Sequence, residues 1–91
     1  MPYKLRVSES YKKRVVKFLK KHQNIVNRYE KTLSLLELDP FHPSLRFHKL
    51  SGKLQHLHSV SIDMQYRITV EFYIEDEEII LVNIGTHDEV Y

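Results

Sequence analysis

The alternation of apolar and polar residues is clearest in the segment YRITVEFYI, which covers residues 66 to 74. Every second residue there is apolar, namely Tyr66, Ile68, Val70, Phe72 and Ile74. A period of two predicts a strand that places one side on the core and the other side, with Arg67, away from it. Weaker alternation predicts strands at YKLRV (3–7) and HLHSVSI (56–62). The almost wholly apolar IILVNI (79–84) is typical of a strand that is covered on both sides.

Between the first two predicted strands, apolar residues recur every three or four positions, which predicts two amphipathic helices. The apolar side of the first helix contains Tyr11, Val15, Phe18 and His22. The apolar side of the second helix contains Ile25, Tyr29, Leu33 and Leu36. Ser8 is the predicted N-cap of the first helix. The second helix is expected to end near Leu38, because the following DPFHP contains two prolines.

The predicted order of elements is β-α-α-β-β-β, which indicates an α+β fold. Two antiparallel helices are expected to pack on one face of a small antiparallel sheet, and the other face is expected to stay open. The segment DMQ (63–65) is short enough to join the second and third of these strands as a hairpin. A length of 91 residues predicts a single domain over 1–91.

The charges are divided unevenly along the chain. Residues 1–53 contain thirteen Lys and Arg against four Asp and Glu, a balance of +9. Residues 54–91 contain one cation, Arg67, against eight acids, a balance of −7. A basic half of this size suggests a polyanionic partner, because bound cations displace counterions from phosphates. The alternative is that the Lys-rich helix is an ordinary solvated surface, and the charge pattern leaves both interpretations open.

Cysteine is absent, so the chain offers neither a disulfide nor a thiolate metal site. His56 and His58 have the spacing that places two histidines on one face of a strand. A metal site would need more ligands, and His42 or Asp63 is a weak candidate, so no metal and no cofactor is predicted. The start of the sequence lacks the apolar core of a signal peptide, and no apolar run reaches membrane-spanning length. A cytoplasmic protein without membrane contact is therefore expected.

Three local motifs resemble one family. They are FHKLSGKL before the second strand, QYRI at the start of the third, and IGTHDEVY after the fourth. Together with the order of elements they resemble the RelE/ParE superfamily of toxins from type II toxin–antitoxin modules, and are most similar to its YafQ-like branch. The resemblance implies a metal-independent endoribonuclease that cleaves mRNA in the A site of the ribosomal 30S subunit. It also implies a cognate antitoxin protein that inhibits the toxin.

The resemblance also implies a set of catalytic residues. His48 matches the histidine of the H-x-L-x-G segment, and His87 matches the histidine of the GTH motif. Tyr91 matches the aromatic residue that closes that motif. Arg67 matches an arginine that RelE-like members use on the scissile phosphate.

At other positions this chain departs from the YafQ-like pattern. Ser61 replaces a histidine late in the second strand, and Asn83 replaces an arginine near the end of the fourth. Gln65 replaces an aspartate, and Tyr66 a tryptophan, at the start of the third strand. Two alternatives therefore remain open. One is an inhibitor of DNA gyrase of the ParE type, and the other is a catalytically weakened protein that still binds an antitoxin.

The chemistry of the predicted residues fits RNA cleavage. A 2′-hydroxyl attacks the adjacent phosphate once its proton is removed, and the departing 5′-oxygen needs a proton in return. His48 and His87 suit these tasks, in either order. Arg67 suits the charge on the phosphate, and Tyr91 suits stacking on a base or help in proton transfer. The residues predicted to contact the flanking RNA backbone are Arg46, Lys49 and Lys53.

Each of these residues also has a structural alternative. His48 can fix its loop through a hydrogen bond to the backbone, and His87 can stabilise a turn. Arg67 can form an ion pair with an acid such as Glu71 or Asp63. Only the arrangement of the side chains in space distinguishes these alternatives from the catalytic ones.

Overall fold

The computed structural model describes residues 2–91. Its helices and strands, in chain order, are β1 (Lys4–Val7), α1 (Glu9–Lys21), α2 (Val26–Leu38), β2 (His48–Lys49), β3 (His58–Ser61), β4 (Tyr66–Tyr73), β5 (Glu78–Thr86) and α3 (His87–Val90). Single 3₁₀ turns lie at Gln23–Ile25, Pro43–Leu45 and Gly52–Leu54. The predicted α+β fold, with two main helices and a mostly antiparallel sheet, is confirmed.

The sheet has five strands in the order β1-β5-β4-β3-β2. All neighbouring pairs are antiparallel except β1 and β5, which run parallel. A parallel pair requires a long connection, and here that connection comprises both main helices and the three intervening strands. The parallel pair and the two-residue strand β2 were not predicted, because two residues are too few to show alternation.

Local signals place the helix ends close to the predicted positions. The Ser8 hydroxyl accepts a hydrogen bond from the Tyr11 backbone N–H at 3.1 Å, and so caps α1. α2 ends at Leu38, two residues before the first proline of DPFHP. Within residues 2–91, no helix combines the length and the apolar character needed to cross a membrane.

The core lies between the two main helices and one face of the sheet. From α1, α2 and the turn between them it contains Tyr11, Phe18, Ile25, Tyr29 and Leu36, and from β3, β4 and β5 it contains Val60, Tyr66, Ile68, Val70, Ile79, Leu81 and Ile84. The Tyr11 and Tyr29 hydroxyls lie 2.7 Å apart and form a hydrogen bond between the helices. Burial raises the pKa of Tyr11, so the pair stays neutral.

The strand register determines which side chains share the face of the sheet opposite the helices. Ser61 pairs with Arg67 and Ser59 pairs with Thr69, so these residues point to the same side. His48 of β2 pairs with Ser59 and points to that side as well. We call this side the open face, because of the three helices only the short α3 packs against it. The open face is where the predicted catalytic residues are found.

Candidate active site

His48 is held on the open face by strand pairing and by one hydrogen bond. Its Nδ1 lies 2.8 Å from the backbone carbonyl of Arg46. A carbonyl can only accept, so Nδ1 carries the proton and donates it. In the neutral ring the lone pair is therefore on Nε2, which is free to accept a proton. Arg46 adopts a left-handed conformation (φ 48°) at the end of the Pro43–Leu45 turn, and this bend directs its carbonyl toward the ring.

Arg67 is anchored to the β3–β4 hairpin by neutral groups. Its Nη1 donates to the carbonyl of Asp63 at 2.6 Å and to the hydroxyl of Ser61 at 3.0 Å. Its Nη2 donates to the carbonyl of Met64 at 3.3 Å. These bonds fix the guanidinium without neutralising its charge. The predicted structural alternative, an ion pair with Asp63 or Glu71, does not form among residues 2–91.

One edge of the Arg67 guanidinium remains available. A guanidinium has five N–H donors, and the hairpin occupies those of Nη1 and one of Nη2. Within the described part of the chain, Nε–H and the second N–H of Nη2 donate to no acceptor. These two parallel donors form the fork that matches two oxygens of a phosphate. The geometry therefore presents an anchored, uncompensated cation with a free bidentate edge.

His87 lies in α3, whose start is fixed by reciprocal hydrogen bonds between Thr86 and Glu89. The Thr86 backbone N–H donates to Glu89 Oε1 at 2.8 Å, and the Glu89 N–H donates to Thr86 Oγ1 at 3.4 Å. The bond from the Thr86 backbone is the largest of the causes that lower the pKa of Glu89. Gly85 permits the close approach of this turn, since an added Cβ would lie 2.9 Å from the Cβ of Glu89.

Tyr91 joins α3 to the sheet. Its hydroxyl donates a hydrogen bond to the hydroxyl of Ser59, a side chain that is 1% exposed on the open face. The ring of His87 packs against the Tyr91 ring with centroids 4.2 Å apart and planes at 71°. His87 is thus positioned over the sheet through Tyr91, rather than left at the end of a free tail.

The open face contains a pocket of about 270 Å³ in which the predicted catalytic residues meet. It is lined by Arg46, His48, Ser59, Ser61, Arg67, His87 and Tyr91. All four residues predicted to be catalytic line it, although they come from β2, from β4 and from the C-terminal end. Arg46, predicted to contact RNA, lines it too. The structure places two imidazoles, a guanidinium and a phenol around one small volume.

Two other predicted RNA-contacting residues lie elsewhere. Lys49 follows His48 in β2 and pairs with His58, so it points to the helix side of the sheet. Lys53 lies in the exposed Gly52–Leu54 turn and does not line the pocket. The structure therefore does not bring Lys49 and Lys53 to the pocket on the open face.

Ser59 and Ser61 line the pocket but were not predicted to belong to the site. Ser61 donates to the Asp63 carbonyl at 2.7 Å and accepts from Arg67, so it helps to hold the guanidinium. Their sequence signal is weak: in HLHSVSI the two serines alternate with His58, Val60 and Ile62, which shows only that they lie on the other side of the strand. Both serines are buried, at 1% and 8% exposure.

His56 and His58, the pair considered as a metal site, do not lie in the same strand. β3 begins at His58, and His56 lies before it in an exposed turn. The prediction that the two share one strand face was wrong, because the strand is shorter than the alternating segment. Across residues 2–91, no three His, Asp or Glu side chains form a group suited to a metal ion.

Comparison with known proteins shows what this architecture is similar to. No protein-family model and no curated protein sequence matches the chain. Among solved structures, YafQ from Escherichia coli is 15% identical, with 98% of each chain covered and a TM-score of 0.79. In the E. coli DinJ–YafQ toxin–antitoxin complex, the match is 17% identical, covers 100% of this chain and 99% of the other, and has a TM-score of 0.78.

A Helicobacter pylori protein, described as the conserved hypothetical protein HP0894, has the higher identity of 27%, with both chains covered in full and a TM-score of 0.73. All three matches extend over essentially the whole chain, including β1 and α3. The predicted resemblance is therefore confirmed: this chain has the fold of the RelE/ParE-type toxins and is similar to their YafQ-like branch.

Proposed function

We propose that this protein is the toxin of a type II toxin–antitoxin module and an endoribonuclease that cleaves mRNA, without a metal, on the ribosome. The observation that carries the proposal is the pocket on the open face, where His48, Arg67, His87 and Tyr91 converge. The structural likeness to YafQ supports the same assignment.

The hydrogen bond of His48 supports the role of general base for this residue. Because Nδ1 donates to the Arg46 carbonyl, Nε2 is the atom that removes the proton from the 2′-hydroxyl. The 2′-oxygen then forms a bond to the adjacent phosphorus, and the bond from phosphorus to the 5′-oxygen breaks. His87, the other imidazole of the pocket, gives a proton to that departing oxygen. The products are a 2′,3′-cyclic phosphate and a 5′-hydroxyl, and the proton count balances.

Arg67 stabilises the extra negative charge on the phosphate as the 2′-oxygen attacks. Its Nε and Nη2 donors bind the two non-bridging oxygens, while the hairpin carbonyls hold the other edge in place. A donor that is already positioned needs no reorganisation during the reaction, and removal of one such donor typically costs about 10²–10³ in rate. The uncompensated charge of Arg67 is suited to this role.

The hydrogen bond between Tyr91 and Ser59 favours one of the two roles considered for Tyr91. The phenol proton is donated to Ser59, which leaves the ring rather than the hydroxyl as the group offered to RNA. Stacking of a base on an aromatic ring contributes about 1–3 kcal/mol. Tyr91 therefore stacks on a base next to the scissile phosphate and keeps His87 in position.

The proposed partners are mRNA in the 30S A site and a small cognate antitoxin. The balance of +9 in residues 1–53 suits a ribosomal site that is rich in phosphate. YafQ has been solved in complex with DinJ as a toxin–antitoxin pair, which supports an antitoxin partner for this similar chain. A partner segment that lies over the basic half would neutralise it, so the complex should weaken as salt rises.

The test is to induce the protein in cells and to map the 5′ ends of transcripts. We expect translation to stop and new ends to occur at discrete codon positions. His48→Ala and Arg67→Ala should abolish those ends. His56→Ala is the matched control, because His56 is an exposed histidine outside the pocket, and it should leave them unchanged.

Three outcomes would contradict the proposal. Filamentous growth with intact mRNA would indicate gyrase inhibition of the ParE type. Absence of any effect on growth would indicate a catalytically weakened, antitoxin-binding protein. New transcript ends that persist in His48→Ala would show that another nuclease produces them.

A further inference from the structure

A second groove adjoins the catalytic pocket and shares two of its residues. Its volume is about 350 Å³, and it lies between α2, the Pro43–Leu45 turn and the β3–β4 hairpin. Arg46 and Ser61 line both cavities, so the groove lies directly beside the catalytic pocket. A strand of RNA that extends from the pocket past Arg46 would reach this groove.

Three cations and a single acid line the second groove. Arg28 and Lys31 are three residues apart on α2 and so lie on the same side of that helix, opposite Arg46. None of the three forms an ion pair within residues 2–91. The one acid of the lining, Asp63, has its Oδ1 occupied by the backbone N–H groups of Gln65 and Tyr66, at 2.9 and 2.7 Å. The groove is therefore a site of net positive charge.

The groove also offers apolar surface between the cations. Leu45 and Ile62 are buried, at 2% and 6% exposure, and form its base. Met64, at the tip of the hairpin, is 87% exposed although its side chain is apolar. A ribose or a base can cover these side chains while its phosphate meets the cations on either side. This combination of contacts suits one nucleotide unit better than an isolated anion.

We infer that this groove binds the next nucleotide along the strand, beyond the two that flank the scissile phosphate, with Arg28 and Lys31 on its phosphate and Arg46 between the two sites. The inference rests on the proposed function, since it takes the ligand of the catalytic pocket to be RNA. Arg28 and Lys31 touch no reacting atom, so they are binding residues that set affinity and the path of the strand. Their removal should raise KM and leave kcat nearly unchanged.

The experiment compares RNA ligands of different length on the purified protein. A dinucleotide with a 2′-deoxy group at the attacking position fills the catalytic pocket alone and cannot be cleaved. Two tetranucleotides with the same modification extend it on the 5′ side or on the 3′ side. Affinities are measured by fluorescence anisotropy at several salt concentrations, for the wild type and for the double variant Arg28→Ala/Lys31→Ala.

We expect the double variant to bind one of the two tetranucleotides at least about tenfold more weakly. It should bind the dinucleotide and the other tetranucleotide as the wild type does. For the affected RNA, the slope of the logarithm of the binding constant against the logarithm of the salt concentration should also become shallower by about 0.7 for each lost phosphate contact. The matched control is Lys13→Ala/Lys17→Ala, which removes the same number of positive charges from a different groove on α1 and should affect all ligands equally and weakly.

Equal losses for all three RNAs, or losses no larger than those of the α1 control, would overturn the inference. Circular dichroism and thermal unfolding of each variant show that a loss is not caused by misfolding, because Arg28 and Lys31 are exposed and contribute little to the core. The result is independent of cleavage. If the double variant loses affinity only for one longer RNA and no transcripts are cleaved in cells, the groove is supported and the endonuclease proposal is contradicted. If transcripts are cleaved but the double variant shows no such loss, the endonuclease proposal is supported and the groove is contradicted.

Discussion

His48 and His58 lie on neighbouring strands at the same end of the sheet, but they face opposite sides of it. His48 is exposed on the open face, with Nδ1 bonded to a carbonyl and Nε2 free. His58 faces the helix side and stacks on Phe47, with ring centroids 4.6 Å apart and planes at 14°. Its Nδ1 is buried and has no partner among the described residues. Burial, aided by Lys49 and His48, lowers the pKa of His58.

The two histidines differ because they lie on different sides of the sheet. The side on which a polar residue lies, rather than its residue type, therefore determines its surroundings. One imidazole is available for proton transfer, and the other is part of an aromatic cluster with Phe41, Phe47 and Phe72. The same division separates the neighbours Arg67 and Ile68 in β4. Variants on the helix side should therefore change stability, and variants on the open face should change cleavage.

The largest effect is expected at Ile68, which is fully buried on the helix side. Ile68→Ala removes three methyl or methylene carbons from the core and should lower the free energy of unfolding by about 2–5 kcal/mol. Urea unfolding followed by circular dichroism measures this loss. A loss below about 1 kcal/mol would show that the site collapses around the cavity and that the core is less tightly packed than it appears.

On the open face, Arg67→Ala should lower the rate of RNA cleavage by about 10²–10³. Its carbonyl partners lie in an exposed hairpin and can bind water instead, so stability should fall by less than about 1.5 kcal/mol. Arg67→Lys keeps the charge but loses the bidentate fork, and it should recover only a small part of the rate. Full activity of the Lys variant would show that charge alone, and not geometry, is what Arg67 provides.

How well each part could be predicted from the sequence depends on the range of the interactions that fix it. The strand at 66–74 and the two helices follow from local periodicity, and the structure has β4 at Tyr66–Tyr73. The parallel pairing of β1 with β5 depends on contacts between residues more than 70 positions apart in the chain, for which the sequence has no local signal. The segment GTHDE (85–89) was interpreted as a turn around His87, whereas Thr86 and Glu89 cap a short helix at His87–Val90.

For the candidate site, the sequence supplied the residue types but not their connections. Alternation placed Arg67 opposite the core, yet its anchors are backbone carbonyls of Asp63 and Met64, which no residue pattern identifies. His48 and Lys49 are adjacent, so a strand must direct them to opposite sides. Because the short β2 could not be predicted, both were expected to face RNA. Arg28 and Lys31 had no motif at all, and only the tertiary structure brings them next to Arg46.

A smaller effect is expected where α3 meets the sheet. In Gly85→Ala the new Cβ would lie 2.9 Å from the Cβ of Glu89, so α3 must shift by a few tenths of an ångström. Such overpacking typically costs about 1–3 kcal/mol. Because α3 positions His87, the rate of RNA cleavage should fall even at temperatures below the unfolding transition, where the variant is still folded. The loss of stability alone does not explain such a fall.

The matched control for Gly85→Ala is Gly52→Ala. Gly52 has a φ of +65°, so alanine is strained there, but an added Cβ meets nothing within 4 Å. Both variants should lose stability, and only Gly85→Ala should lose cleavage beyond that loss. Equal activity of the two variants would show that the position of α3 does not limit the reaction.

The smallest effect tests the comparison of the two histidines directly, through pH. The pKa of His58 is lower in the folded protein than its ordinary value of 6.5, so the unfolded chain binds more protons below that value. The contribution of neutral His58 to stability is therefore complete above pH 6.5 and is lost as the pH falls through the folded pKa. His58→Phe keeps an aromatic ring against Phe47 but cannot titrate, so it should remove this part of the pH dependence.

Thermal unfolding between about pH 7.5 and pH 5 measures this part of the pH dependence, with His56→Gln as the control that should behave as the wild type. If His58→Phe and the wild type lose stability in parallel over this range, His58 is solvated in the folded state and the division between the two faces is less complete than the structure indicates.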